Sequence, residues 1–535
     1  MRSLYNKPLD QTITGLWLRV DDAYKKAFFF IVVVNLLAFG FEMTNLTIHH
    51  DDIWQIFLED NILGYYLGRF GLGWLHYKVQ NAHIMPFLQM AQGIILMTAY
   101  GMVISYLWGI RKTVDIVIVS STVCVFPYMA QIYTYNAAMA TYPIAHLLSA
   151  VAVLLSTRAK LIHIAIASVL YVAAFSIYQS VIANAATIFC MWALSNLLFN
   201  DDYKDSFLRS MIKPTVSACL SVLAGSLLYF VVVSFMDINF DSYQDAEQAF
   251  SFKGSFNPLY AATEVINGSR SFFLWPEHYF PNSLKKLQLI FLAAATIFCL
   301  WLPKGFPAKI IATVILVLSV LMPRILQMVH PAGVYHNLTL TAYAVSVAGF
   351  VMVINRARFT LTRNLSIIIA AFLIGGYIVQ CNWISTVNYL NTQAHYATLT
   401  QILARVRSLP VEWSGEKVIV VGSYKMKQDY PYKMATGVAT DYIDMKPQHM
   451  QQLARLMRDD ITFTPANPGT PGALEYAMTH SPWPHPSSVG IVNGTGVVVL
   501  SNDHLDYNLQ KSETNAPGSQ SQAYPAKESR QQTVK

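Results

Sequence analysis

Residues 86–110 read PFLQMAQGIILMTAYGMVISYLWGI without one charged side chain, and Arg111-Lys112 follow at once. As a helix this stretch would rise about 37 Å. That is enough to cross the roughly 30 Å hydrocarbon core of a bilayer. A chain in hydrocarbon must satisfy its own backbone polar groups, and a helix does so within one segment. The same pattern recurs on both sides. Apolar runs near Ala27–Phe41, Val114–Ile132, Ala137–Ser156, Leu161–Ile177, Val181–Phe199, Pro214–Phe235, Leu287–Leu302, Ile310–Met322, Leu338–Ile354 and Ser366–Cys381 bring the total to about eleven spans. The expected fold class is an all-α polytopic membrane protein. Composition agrees, with 54% hydrophobic and 13% charged residues, where a soluble domain carries roughly 25% charged.

The basic residues give an orientation. With the N-terminus inside, the inner connectors are Arg111-Lys112, Arg158 to Lys160, Lys204 to Lys213, Lys304 to Lys309 and Arg356 to Arg363, and all of them are basic. The short opposite connectors, around Tyr133–Asn136 and Tyr178–Ser180, carry no charge. This alternation follows the positive-inside rule and absorbs much of the +7 net charge. No nucleic-acid partner is needed to explain that charge. The leader with Arg2, Lys7, Arg19, Lys25 and Lys26 is long, is interrupted by Asp21-Asp22, and meets a poor cleavage site at Phe39-Gly40-Phe41-Glu42. It reads as an uncleaved anchor. The five cysteines lie in or at the end of apolar segments. They read as small buried hydrophobes and leave none for a disulfide-stapled outer domain.

Residues 1–26 therefore form an inner N-terminus, and residues 27–381 a membrane domain with outer loops 42–85 and 237–286. An odd number of spans places residues 382–510 outside as a small α+β domain, and residues 511–535 read as a disordered tail. In that outer domain Lys417–Gly422 reads as a strand, and Val489–Val492 and Gly496–Leu500 flank the hairpin turn Asn493-Gly494. In the first outer loop, Ile53–Asp60 and Leu63–Leu75 read as helices along the membrane surface. Gly64, Gly68, Gly71 and Gly73 there are either close approaches or breaks. The second outer loop, with Trp275-Pro276-Glu277-His278, reads as a partly embedded loop with aromatic anchors.

The elaborated surface is outer, and the chemistry-bearing residues gather there. His49-His50-Asp51-Asp52 follows the first span. One Asp serves as a helix N-cap; two, beside two imidazoles, suggest a general base for a hydroxyl proton. His49, His50 and Asp51 also offer divalent-metal ligands, but adjacent residues converge poorly on one ion and no fourth ligand is evident. Glu42 ends the first span, either as a solvated helix end or pointing at the same site. Arg69 suits a phosphate or a snorkelling position. Arg324 with His330 and His336 forms a charged outer connector that breaks the orientation rule, and reads as a second phosphate site near Asp51. No Walker loop, GxSxG, HExxH or dinucleotide fingerprint is present.

The His49–Asp52 and Gly68-Arg69 region after the first span, with the many spans and outer C-terminal region, resembles the GT-C class of membrane glycosyltransferases. Within that class it resembles the type II glucosyl transferases of phage and prophage origin. The resemblance implies a glucose donor on undecaprenyl phosphate, an O-antigen acceptor on the periplasmic face of a bacterial inner membrane, and serotype conversion. It also implies a companion flippase and donor-synthesising transferase, no cofactor, and catalytic roles for Asp51, Asp52 and Glu42. Rival readings are another polyprenyl-linked sugar transferase, an O-antigen ligase or polymerase, and, from a different class, a transporter or flippase. The last would favour internal repeats and charges at the midplane.

Overall fold

The protein's computed structural model describes residues 15, 18–48, 52, 68–80, 83–200, 207–236, 257–275, 277, 279–303, 305–329, 335–357, 359–410, 417–425, 444–467 and 469–502. His49, His50, Asp51, His330 and the tail lie outside these residues. The architecture is mostly helical, with a small C-terminal sheet. It divides into two compact units, one running to Thr392 and one starting at Gln393.

The first helix, α1 (Asp22–Thr44), starts where the Asp21 carboxylate accepts from the Ala23 amide at 2.9 Å. Its buried positions Ala27, Ile31, Asn35, Ala38, Phe39 and Glu42 recur every three or four residues and form one inward stripe. Phe29, Phe30, Val33 and Leu37 point outward, and Phe29 is 64% exposed. Leaving that surface in water forgoes about 25 cal/mol per Å²; facing lipid removes the cost. The short α2 (Phe70–Gly73) runs into a π-helical turn at Trp74–Val79. Then come α3 (Pro86–Leu107), α4 (Thr113–Cys124), α5 (Pro127–Thr134), α6 (Thr141–Ser156), α7 (Leu161–Ile177), α8 (Val181–Phe199) and α9 (Phe207–Phe235).

A bend of 54° separates α4 from α5. Pro127 has no amide hydrogen to continue the ladder, and Phe126 before it is extended at ψ 132°. All of α5 is buried.

After α10 (Pro258–Leu274), α11 (Asn282–Trp301) and α12 (Phe306–Leu321), two 3₁₀ segments, Met322–Met328 and Asn337–Leu340, lead into α13 (Ala342–Asn355). Every residue of α13 is buried, packed against α4, α8 and α11. The last membrane helix, α14 (Thr360–Arg407), continues well past Cys381 because no Gly or Pro occurs between Tyr377 and Arg407.

Eight described helices are long and apolar enough to cross a membrane, or nine if the bent α4–α5 pair is one span, and α6 and α7 are shorter apolar helices. Each apolar run of the sequence falls on one of these helices. Residues 258–274 depart from the loop expected there. They form α10, capped by Asn257, whose side chain accepts from the Leu259 and Tyr260 amides. Of the cysteines, Cys124, Cys299 and Cys381 are buried, but Cys219 is exposed on α9.

In the second unit β2 (Tyr424–Lys425) and β3 (Asp444–Met445) form a short antiparallel pair, and the larger sheet has the order β4-β1-β6-β5, with β1 (Lys417–Val421) parallel to both β4 (Thr462–Pro465) and β6 (Thr495–Val499). The β5 strand (Val489–Val492) pairs antiparallel with β6 across Asn493 and Gly494, both at positive φ as a two-residue hairpin turn requires. The helix Pro471–Thr479, α16 after α15 (Pro447–Leu456), places Ala473, Leu474 and Ala477 on Val421, Val497 and Val499.

Candidate active site

The residues that matter converge on the segment from Tyr128 to Tyr142, which joins α5 to the start of α6. Its connector carries no charge, yet the carboxylates of Asp52 and Glu277 and the guanidinium of Arg69 all hydrogen-bond to residues of this segment.

Asp52 is 1% exposed. Its Oδ1 accepts from the Asn136 amide at 2.8 Å, and its Oδ2 accepts from Asn136 Nδ2 at 2.8 Å. The same Nδ2 donates to the Thr47 carbonyl at 2.9 Å. Thr47 in turn donates its hydroxyl to Glu42 Oε1, and Ser385 of α14 faces the same carboxylate. Glu42 is 1% exposed, so it is not a solvated helix end. Its Oε2 has no hydrogen-bond partner among the described residues; the same holds for Asn136 Oδ1, Gln131 Oε1 and Tyr133 Oη. Buried polar atoms are normally paired, and each exception calls for a reason. Thus Glu42 and Asp52 share one hydrogen-bonded unit, linked by Thr47 and Asn136.

The connector is held by α3. A Cβ at Gly93 would fall 2.2 Å from the Met139 carbonyl oxygen and 2.8 Å from the Tyr133 ring, so only hydrogen fits there.

Arg69 sits at the far end of the segment. Its Nη1 donates to Tyr142 Oη at 3.0 Å and its Nε to Gln179 Oε1 at 3.2 Å. The guanidinium lies 5.4 Å from the centroid of Tyr178, which stacks on Tyr142 at 4.2 Å. Burial holds the Tyr178 phenol above its ordinary range, with Arg69 pulling the other way. This is a fixed fork rather than a side chain reaching for headgroups. Gly71 is a close approach: a Cβ there would meet Ser176 Oγ at 2.1 Å.

A second cluster lies at the start of α5. Tyr128 Oη donates to Glu277 Oε1 at 2.7 Å, and Lys285 Nζ lies 2.8 Å from the same oxygen. The ammonium also donates to the Phe272 carbonyl and stands 3.8 Å from the Phe272 ring centroid. That ring stacks on Tyr343 at 3.8 Å. Arg324 donates from Nε to Tyr343 Oη at 3.0 Å and from Nη1 to Gln327 at 3.4 Å, while Nη2 has no partner among the described residues. Burial raises the Tyr335 phenol above its usual range, and Arg324 lowers it. His336 enters through its backbone: its carbonyl accepts from the Thr339 amide at 2.8 Å. Glu277, Lys285, Tyr128 and Asn136 carry no local signal that sequence reasoning could weigh; only the fold brings them to the acids and arginines.

A family model for glucosyl transferase GtrII matches residues 40–354, more than half of the chain. The chain belongs to that family. No curated protein matches it. As a GtrII-family glucosyl transferase, it is a membrane glycosyltransferase with a sugar donor and a glycan acceptor. Glu42, Asp52, Arg69, Asn136, Glu277 and Arg324 all lie inside the matched region, and the second unit lies beyond it. No group of three His, Cys, Asp or Glu that could hold a metal occurs among the described residues.

Proposed function

We propose that this GtrII-family enzyme transfers glucose from undecaprenyl-phosphate-glucose to O-antigen on the periplasmic face of the inner membrane, changing the serotype. The N-terminus is cytoplasmic and the C-terminal unit periplasmic, as the basic connectors favour. The observation that carries the site assignment is the Glu42 carboxylate, whose buried Oε2 has no hydrogen-bond partner among the described residues, in a unit whose neighbouring carboxylate is held on both oxygens. A bare carboxylate oxygen is the natural acceptor for an incoming hydroxyl.

In this reading the acceptor hydroxyl donates to Glu42 while its oxygen forms a bond to the anomeric carbon. The bond from that carbon to the donor phosphate oxygen breaks as the proton passes to Glu42, and the phosphate leaves with its electron pair. Asp52 fixes the connector through Asn136, and Asp51, adjacent in sequence, remains a candidate second acid. Arg69 or Arg324 takes the phosphate and its growing charge, and His330, His336, His49 and His50 are the further candidates that the sequence offers for binding it. One displacement inverts the anomeric centre. A polyprenyl donor also accords with the membrane-embedded architecture and with a sequence lacking nucleotide motifs.

The test is transfer of labelled glucose from purified undecaprenyl-phosphate-glucose to lipopolysaccharide by wild type, Glu42→Gln, Asp51→Asn and Asp52→Asn. Loss of transfer on Glu42→Gln with retained folding is expected. Full activity in all three variants would sink the carboxylate assignment. A better yield from another polyprenyl sugar would replace glucose as the donor.

A further inference from the structure

The cluster at the start of α5 contains a carboxylate that is only half used. Glu277 Oε1 receives both Tyr128 Oη at 2.7 Å and Lys285 Nζ at 2.8 Å. No hydrogen bond reaches its Oε2 from the described residues, and the side chain is 29% exposed. Lys285, by contrast, is spent inside the protein. It is 5% exposed, bonded to Phe272 and Glu277, and packed over the Phe272 and Phe280 rings. An ion pair kept only for stability is a poor bargain in a buried site, where well-packed apolar residues do as well or better. Here the lysine and the tyrosine fix one oxygen and aim the other outward.

One turn along α5 stands Gln131. Its Nε2 donates to Tyr279 Oη at 2.6 Å, and its Oε1 is buried with no hydrogen-bond partner among the described residues. Tyr279 and Glu277 belong to the same short stretch and both bond to α5, so the two unused acceptor oxygens stand on the same side of that helix. Through Phe272 and Tyr343 the cluster is continuous with Arg324, whose Nη2 makes no hydrogen bond to the described residues. Two acceptors beside aromatic rings and next to a cation match a polyhydroxylated ring carried on a phosphate. Hydroxyls donate to carboxylate and amide oxygens, the C–H faces pack on rings, and the phosphate pairs with guanidinium.

We infer that Glu277 and Gln131 form the subsite that holds the hydroxyls of the donor's hexose, while Arg324 holds its phosphate. Lys285 and Tyr128 are positioning residues for Glu277. This rests on the polyprenyl-phosphate donor reading above.

The full-length protein is titrated in detergent with undecaprenol, undecaprenyl phosphate, undecaprenyl-phosphate-glucose and its monodeoxyglucose analogues. Wild type binds the glucosylated donor about tenfold tighter than undecaprenyl phosphate, and one deoxy analogue loses that advantage. Glu277→Gln keeps its affinity for undecaprenyl phosphate, loses the sugar's advantage, and no longer distinguishes that analogue. Glu277→Asp, which preserves the charge beside Lys285, is the second variant, and it shows a reduced advantage. A variant that retains the full sugar advantage overturns the proposal. Equal loss of undecaprenyl phosphate and donor affinity also overturns it, by making Glu277 structural. A wild type that prefers the phosphate but ignores the sugar overturns the subsite alone. A wild type that binds undecaprenol as well as undecaprenyl phosphate overturns the donor reading, and the subsite with it.

Discussion

At the scale of single residues, the two acids carry different loads. Asp52 is bound on both oxygens and Glu42 on one. Glu42→Gln is therefore expected to lower the turnover of glucosyl transfer by about 10²-fold or more, with little change in donor KM. Asn136→Ala removes the amide that bridges Asp52 and Thr47. It should lower stability by about 1–3 kcal/mol, read as a fall in the unfolding midpoint in detergent. Arg69→Lys should weaken the donor step even though charge is kept, because one ammonium on a flexible stem cannot reproduce the fork on Tyr142 and Gln179. An unchanged donor KM in Arg69→Lys would show that the fork is not used on phosphate. The acids and arginines proposed here are visible in the sequence because charge beside an apolar run stands out. Asn136, Gln179 and Tyr142 are not, since neutral side chains in an apolar context gain meaning only from partners 84, 110 and 73 residues away.

At the scale of elements, the runs without charge read as helices because length and apolarity suffice for a span. What hydropathy does not report is where a run breaks. Residues 114–132 read as one span, and Pro127 divides them into α4 and α5. That break gives the site its scaffold, with Tyr128 and Gln131 at one end and the Asn136 connector at the other. The sequence of α10 reads as loop because its apolar residues are diluted by polar ones, although Asn257-Pro258 is a good helix start. Gly93→Ala should push the connector off α3, costing about 1–3 kcal/mol of stability and much of the transfer activity. Normal activity and midpoint in Gly93→Ala would show that the connector tolerates displacement.

At the scale of the whole molecule, the proposed orientation makes a prediction about sidedness. In a background with the exposed Cys219 replaced by Ser, Lys160→Cys should react with an impermeant thiol reagent only after the inner membrane is opened. Leu259→Cys, 77% exposed on α10, should react once the outer membrane alone is permeable. The reverse pattern would invert the topology. The helix α13 adds a constraint on assembly. Its apolar sequence qualifies it to enter a bilayer, yet in the finished unit every one of its residues is covered by protein. Insertion and burial are thus expected to be separate events for it, with lipid neighbours exchanged for α4, α8 and α11. The expected consequence is a late enclosing step in biogenesis, and a chain stalled before it would present α13 to membrane quality control.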